Sequence, residues 1–161
     1  MWLRALLTSL VAWLFSQDAA SYSIPTDFGC SNLMISDEWR TYVLKLQNKL
    51  RRDLAEGKVK TMGSKTAPMG KNINELLWDC NIEKHARDNI CGTALGQAYY
   101  GIMETFKNKN GCNVTEEAGT LLKKWWSQST SIDLNKDVKY TEDAEKNAPY
   151  FSNLSISKLK L

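Results

Sequence analysis

Apolar residues recur at helical spacing in three stretches of the chain, and the longest of them follows Ser36. One stripe runs along this segment at steps of four, three, four and four residues: Trp39, Val43, Leu46, Leu50 and Leu54. Ser36 suits an N-cap, because its hydroxyl can accept a hydrogen bond from a first-turn amide. Gly57 suits the left-handed residue that often ends a helix. The pattern predicts a helix from Ser36 to just before Gly57, with the charged run at 49–52 on its solvated face.

A second helix is predicted after Asp79, which is a good N-cap. A narrow apolar stripe then recurs every four residues: Ile82, Ala86 and Ile90. Cys80 and Cys91 lie at the two ends of this segment, eleven residues apart. A helix of that length extends about 16 Å, whereas the Cα atoms of a disulfide lie within about 7 Å of each other. A bond between Cys80 and Cys91 is therefore excluded.

A third helix is predicted after Thr115 as N-cap, with an apolar face that includes two adjacent tryptophans. The face comprises Ala118, Leu121, Leu122, Trp125 and Trp126. We interpret the two tryptophans as core residues.

The segments outside the three helices have weaker patterns. Polar loops are predicted at residues 58–71 and 127–147. A buried strand or a packed loop is predicted at residues 98–103, and a short strand or sheet edge at residues 149–156.

The beginning of the chain has the pattern of a secretory signal. Arg4 precedes an apolar run at residues 5–15, and small residues follow at Ala19 and Ala20. The run is too short to span a bilayer, for which about 20 apolar residues are needed. We therefore expect residues 1–21 to be a signal peptide of a secreted protein, residues 22–35 an N-terminal leader and residues 36–161 one domain.

The net charge of +3 is mildly basic and includes no dense run of Lys and Arg. We expect neither a nucleic-acid partner nor stable membrane insertion. Two sequons, at Asn113 and Asn153, predict N-glycosylation in a secreted chain. His85 is the only histidine, and the chain contains no Gly-rich phosphate loop. We therefore predict no catalytic site, no metal site and no cofactor.

The four cysteines predict disulfides, because an even number in a secreted chain is typical of them. They are Cys30, Cys80, Cys91 and Cys112. Excluding the 80–91 bond also excludes 30–112. Two pairings stay open: 30–80 with 91–112, or 30–91 with 80–112. The first is favoured because 91–112 closes the shorter loop.

Three stretches together resemble the CAP superfamily. Residues 46–52 resemble its "HN-x-x-R" helix, residues 74–86 its "M-x-x-L-x-W-D-x-x-L-x-x-x-A" segment, and residues 117–126 its third-helix "A-x-x-x-W-x-x-E" region. The resemblance is to the secreted venom-allergen-like or Ancylostoma-secreted-protein type of parasitic nematodes. It implies an α+β fold, an α-β-α sandwich with a small antiparallel sheet between helical layers. The resemblance also implies that disulfides stabilise this sandwich, and that its C-terminal part is shorter in this chain than in the family.

The resemblance also implies a function without catalysis. Members of this group are secreted, and the expected partner is a host receptor or immune-cell surface protein, such as an integrin. The alternative is an extracellular sterol or fatty-acid binding protein, whose groove would be lined by Trp125, Trp126 and residues 94–106. The family's central cavity carries two His and two Glu. Gln47 stands where the first His is expected and Tyr150 replaces the second, so we expect no zinc site.

Overall fold

The structure is a computed structural model that describes residues 23–31, 34–89, 113–135 and 142–155. These ranges contain five α-helices: α1 (Asp37–Ala55), α2 (Cys80–Asn89), α3 (Val114–Ser127), α4 (Glu142–Asn147) and α5 (Pro149–Ser155). Short 3₁₀ turns lie at Met62–Ser64 and Gln128–Ser131. The predicted signal peptide, Cys91, Cys112 and the residues 92–112 lie outside the described residues.

The predicted α-β-α sandwich is wrong for the part of the chain that the structure describes. That part is helical and contains no strand. Its one antiparallel bridge, between Lys60 and Thr66, is isolated. Within the described ranges, helices and extended segments joined by this single bridge stand where the antiparallel sheet was expected.

Residues 149–156 were predicted as a strand, and this too is wrong, because Pro149 begins helix α5. Proline suits the first helical position, where its fixed φ fits and its missing N–H has no intrahelical acceptor to lose. The Gln128 side chain caps the same helix: its Oε1 accepts from the N–H groups of Tyr150 (2.9 Å) and Phe151 (3.3 Å). This cap comes from a residue 22 positions earlier, which a local pattern does not reveal.

Helix α1 has the bounds that its caps predicted. Ser36 Oγ accepts a hydrogen bond from the Trp39 N–H at 3.2 Å. At the other end Gly57 has φ +69° and donates to Leu54 O at 3.0 Å, while the Lys58 N–H donates to Asp53 O at 2.8 Å. These two bonds form a Schellman motif, which requires the left-handed conformation that glycine adopts without strain.

The predicted apolar stripe of α1 packs against α3 and α5. One cluster contains Leu54, Trp126, Ile132 and Phe151, and the side chain of Phe151 is fully buried. A neighbouring cluster centres on Val43, Leu122 and Trp125, with Trp39 and Leu46 packed against it. Both tryptophans of α3 are thus core residues, as their helical spacing indicated.

Two further predictions need correction at their boundaries. Asn113, not Thr115, is the N-cap of α3, and its Oδ1 accepts from the N–H groups of Thr115 (3.2 Å) and Glu116 (3.3 Å). Residues 127–147, predicted as a polar loop, include a 3₁₀ turn and α4. Helix α4 buries only Ala144, and a helix with a single small buried residue shows no apolar stripe in its sequence.

Helix α2 begins where Asp79 predicted, but it does not bury the predicted face. Asp79 Oδ1 accepts from the Asn81 N–H at 2.7 Å and from the Ile82 N–H at 3.3 Å. Ile82 is nevertheless 55% exposed, whereas Glu83 is buried. The stripe prediction fails because this helix contacts α1 through a charged side chain.

The closest approach of α1 to α3 depends on a glycine. A Cβ atom built on Gly119 would lie 2.1 Å from Tyr42 Oη and 3.2 Å from its Cζ. We predict that Gly119→Ala destabilises the protein by about 1–3 kcal/mol, because overpacking outweighs alanine's higher helix propensity, ~1 kcal/mol. Urea unfolding measures the change.

The matched variant removes the obstacle. Gly119→Ala combined with Tyr42→Phe loses the hydroxyl that the new methyl group meets, so most of the lost stability should return. If Gly119→Ala alone were as stable as the wild type, the close approach of α1 and α3 would be wrong.

Candidate functional site

Helix α1 has a second buried face, and this face is polar. It comprises Arg40, Leu44, Asn48 and Arg51, which recur at steps of four, four and three residues. The three polar members are as buried as the apolar core. The prediction that residues 49–52 form a solvated run is therefore wrong for Arg51. An apolar pattern cannot reveal this face, because three of its four members are polar or charged.

Asn48 binds the backbone of the extended segment that leads to α2. Its Nδ2 donates to Leu76 O at 3.0 Å, and the Leu76 N–H donates to Asn48 Oδ1 at 2.8 Å. The side-chain amide thus provides the donor and acceptor that a neighbouring strand would provide in a sheet. Because buried peptide groups must find partners, this pair lets residue 76 lie against α1 without strand pairing.

Arg51 joins the same segment to the end of α5. Its Nε and Nη2 donate to Asn74 O at 3.0 and 2.9 Å, and its Nη1 donates to Leu154 O at 2.7 Å. Burial lowers the pKa of the Arg51 guanidinium, since desolvation penalises its charged form. The guanidinium nevertheless stays charged at neutral pH, and backbone carbonyl oxygens surround it.

Arg40 and Glu83 form a buried bidentate ion pair between α1 and α2. Arg40 Nε donates to Glu83 Oε2 at 2.7 Å, and Arg40 Nη2 donates to Glu83 Oε1 at 2.6 Å. Asp37 Oδ1 accepts from Arg40 Nη1 at 2.7 Å, and Trp78 Nε1 donates to Glu83 Oε2 at 2.7 Å. The hydrogen bonds to Glu83 raise the pKa of the Arg40 guanidinium further above its usual range.

A disulfide fixes the start of α2 to the leader. Cys30 and Cys80 are bonded, with their Cα atoms 5.2 Å apart. This bond belongs to the first of the two pairings left open by the sequence. The Trp78 ring makes edge contacts with Phe28 and with Trp39, both at 6.1 Å between ring centroids. Residues 74–83 are therefore held by α1 and by the leader.

This anchored segment presents two large apolar side chains to solvent. Leu77 is 65% exposed and Ile82 is 55% exposed. We call these two residues the apolar edge. Large apolar side chains on a segment that is fixed at several points lose little conformational freedom when a partner covers them.

The two degenerate family positions do not form a polar site. Tyr150 is half-buried on α5, and its ring stacks on that of Trp125 at 5.3 Å between centroids and 19° between planes. Gln47 is half-buried on α1. Among the residues that the structure describes, no three His, Cys, Asp or Glu side chains group closely enough to hold a metal ion. The prediction that this chain binds no zinc is not tested by this observation.

The two sequons lie in different local structures. Asn113 is exposed and caps α3 through its Oδ1, which leaves Nδ2, the atom that carries a glycan, outside the cap. Asn153 is exposed but lies within α5. Glycosylation of both stays a prediction.

Two of the cavities that open on the surface of the described residues combine apolar with charged lining residues. The larger, of about 650 Å³, is a groove between the loop at 67–73 and helices α4 and α5, and Ile132, Leu134 and Phe151 form part of its apolar wall. The smaller, of about 550 Å³, is lined by Lys58, Lys60 and Lys123. No local sequence pattern reveals either cavity, because each collects residues from three or more separate segments.

Comparison with known proteins shows similarity to the Ancylostoma secreted protein of Ancylostoma caninum. The two are 30% identical over 120 residues, which is 70% of this chain and 28% of that protein. The chain thus spans less than a third of the length of that relative. No protein-family model and no solved structure matches the chain.

The similarity supports a CAP-type relationship at most and is compatible with a secreted protein. Within the described residues, no helix is long and apolar enough to cross a membrane. The helical structure and this relationship together are the basis for the functional proposal below.

The buried ion pair generates a stability prediction. Glu83→Gln removes the bidentate partner of the buried Arg40 guanidinium and leaves Asp37 as its counter-ion. We therefore expect a loss of about 3 kcal/mol of unfolding free energy, the lower end of the range for a broken buried ion pair. The control is Glu75→Gln, which removes the exposed partner of Arg52 and should cost less than about 1 kcal/mol. Guanidinium unfolding of both variants measures the difference, and equal losses would contradict the buried pairing.

The Asn113 sequon generates a second prediction. We expect a glycan on Asn113 in protein from a secretory host, measured as a mass shift that amidase treatment removes. Thr115→Ala should abolish the glycan at this site and leave the N-cap intact, because the cap uses Asn113 Oδ1. An unmodified Asn113 peptide from secreted wild-type protein would show the prediction to be wrong.

Proposed function

We propose that this chain is a secreted, non-catalytic protein of CAP type that acts by binding a protein on host cell surfaces. Its similarity to a secreted protein of Ancylostoma caninum supports secretion and the family relationship. An integrin on an immune cell or platelet is the class of partner that we expect from the sequence resemblance.

The use of the buried charged groups supports the absence of catalysis. Arg40 and Glu83 bind each other, and Arg51 binds backbone carbonyls. These groups hold α1 against its neighbours, so their charges serve packing and are not directed into a cleft for acid–base chemistry. The two positions that correspond to the family's histidines hold Gln47 and Tyr150, which are poor metal ligands compared with imidazole.

The apolar edge is the observation that carries the binding proposal. Leu77 and Ile82 are exposed, although the segment that bears them is fixed by Asn48, by Arg40 and by the Cys30–Cys80 disulfide. Binding energy at protein interfaces is concentrated in a few large side chains near the centre of the contact. Two aliphatic side chains on a pre-organised segment fit the centre of such a contact. Glu75, which is exposed and ion-paired with Arg52, supplies a polar group close to Leu77 in the chain.

The test is a double variant at the apolar edge. Leu77→Ala with Ile82→Ala should weaken saturable binding to leukocyte or platelet surface proteins by at least about tenfold, roughly 1.4 kcal/mol. The matched control is Val114→Ala with Met69→Ala, which removes two exposed apolar side chains elsewhere. No saturable binding by the wild type, or equal loss in both double variants, would contradict the proposal.

The apolar groove favours a second candidate, an extracellular fatty-acid or sterol binding protein. Trp125 and Trp126, which the sequence suggested as lining residues, are instead core residues. The groove of about 650 Å³ has an apolar wall that includes Phe151 and Leu134, with Lys71 at its lining. An apolar chain with one anionic head matches this combination, because the ammonium group can bind a carboxylate.

Uptake of a labelled fatty acid tests the second candidate. Leu134→Glu places a charge on the groove wall, and we expect it to abolish uptake while Leu77→Glu on the apolar edge leaves uptake unchanged. If wild-type protein from a secretory host contains no co-purified lipid and takes up none, this candidate is eliminated and the receptor-binding proposal is unaffected.

A further inference from the structure

The smaller cavity lies where the end of α1, residues 58–60 and the end of α3 meet. Three lysines line it: Lys58, Lys60 and Lys123. Lys58 and Lys60 belong to the segment that follows α1, Lys123 belongs to α3, and all three are exposed. Neither the receptor-binding nor the lipid-binding proposal uses this cavity.

The charges around the cavity leave it net positive. Lys58 is paired with Glu56, and Lys60 Nζ donates to Thr66 Oγ1 at 3.3 Å. Asp53 also lines the cavity, but Lys49 neutralises it at 2.7 Å. Lys123 makes no ion pair with any residue of the described ranges. The cavity therefore presents more ammonium groups than nearby carboxylates can neutralise, and an anionic ligand can bind the remaining positive charge.

The floor of the cavity is apolar and contains a buried donor without a partner. Trp126 lines the cavity beside Leu50 and Val59. Its Nε1 is buried and makes no hydrogen bond within the described part of the chain. A buried N–H without an acceptor is costly and uncommon. A ligand oxygen that reaches this N–H supplies the acceptor that it lacks.

Hydroxyl groups at the rim offer further polar contacts. Ser127 Oγ donates to Lys124 O at 2.7 Å, and Thr130 Oγ1 donates to Ser127 O at 2.9 Å. Both hydroxyl oxygens keep lone pairs that can accept from a ligand hydroxyl. The lining thus offers ammonium groups that can bind an anionic group of a ligand, and hydroxyl oxygens that can accept hydrogen bonds from the ligand's hydroxyl groups.

We propose that this cavity binds a sulfated sugar unit of an extracellular glycan. The ammonium groups would hold the sulfate oxygens, the rim hydroxyls would accept from sugar hydroxyls, and the volume of about 550 Å³ accommodates one or two sugar rings. A phosphate ester has similar chemistry, so a lipid headgroup is the competing source of the anion. None of the exposed large apolar residues lines this cavity, which favours a glycan over a membrane surface.

A charge-matched pair of variants tests the proposal. Lys58→Ser, Lys60→Ser and Lys123→Ser together should weaken binding of a heparin tetrasaccharide by at least tenfold in titration calorimetry. The control removes three exposed lysines away from the cavity, Lys45→Ser, Lys84→Ser and Lys146→Ser, and should change the affinity less than threefold. Equal weakening in both would show binding by net charge alone, and absence of wild-type binding would overturn the proposal.

A second variant tests the floor without changing the charge. Trp126→Phe removes the indole N–H, and we expect three- to tenfold weaker tetrasaccharide binding with an unchanged salt dependence. Unchanged affinity would remove Trp126 from the site. A third measurement uses phosphatidylserine vesicles in place of the tetrasaccharide. If the protein bound the vesicles more tightly than the tetrasaccharide, and if the triple variant of Lys58, Lys60 and Lys123 lost that binding, the cavity would be a site for a lipid headgroup. This result would overturn the glycan proposal.

Discussion

The polar face of α1 is the constraint on which the rest of the structure depends. Residues 74–83 lie against this helix as an extended segment and the first turn of α2, and their buried polar groups need partners. Asn48, Arg51 and Arg40 supply those partners from three turns of one helix. The dependence is mutual, because the segment supplies acceptors for buried donors of all three side chains. A donor that stays buried without its acceptor costs about 1–3 kcal/mol or more.

Helix α1 therefore has two interfaces of different character. Its apolar stripe packs on α3 and α5, and its polar face binds the segment before α2. Arg51 connects both sides, since its guanidinium donates to Asn74 O and to Leu154 O. The buried polar face of α1 thus determines where the apolar edge lies on the surface. A substitution on that buried face should therefore displace the apolar edge, although the substituted residue does not contact it.

The sequence predicted the local structure of α1 and the start of α2 well, because caps and apolar periodicity are encoded in neighbouring residues. It did not predict the burial of Arg51 or Glu83, since a charged residue is buried only when a distant partner is placed beside it. Residues 149–156 were assigned to a strand because Gln128 was not recognised as their cap. The pattern of residues suggested short strands at 98–103 and 149–156, and the family resemblance suggested that strands form a sheet between helical layers. Both cavities were missed because their linings come from distant segments.

Hydrogen exchange at the backbone amide of Leu76 tests the central claim most directly. Leu76 lies outside every described helix, yet its N–H donates to Asn48 Oδ1 at 2.8 Å. The N–H of Leu77 makes no hydrogen bond to any residue in the described ranges. The account predicts that the Leu76 amide exchanges on the order of a hundredfold more slowly than the Leu77 amide, close to the protection of the α1 interior. Equal, rapid exchange of the two amides would contradict it.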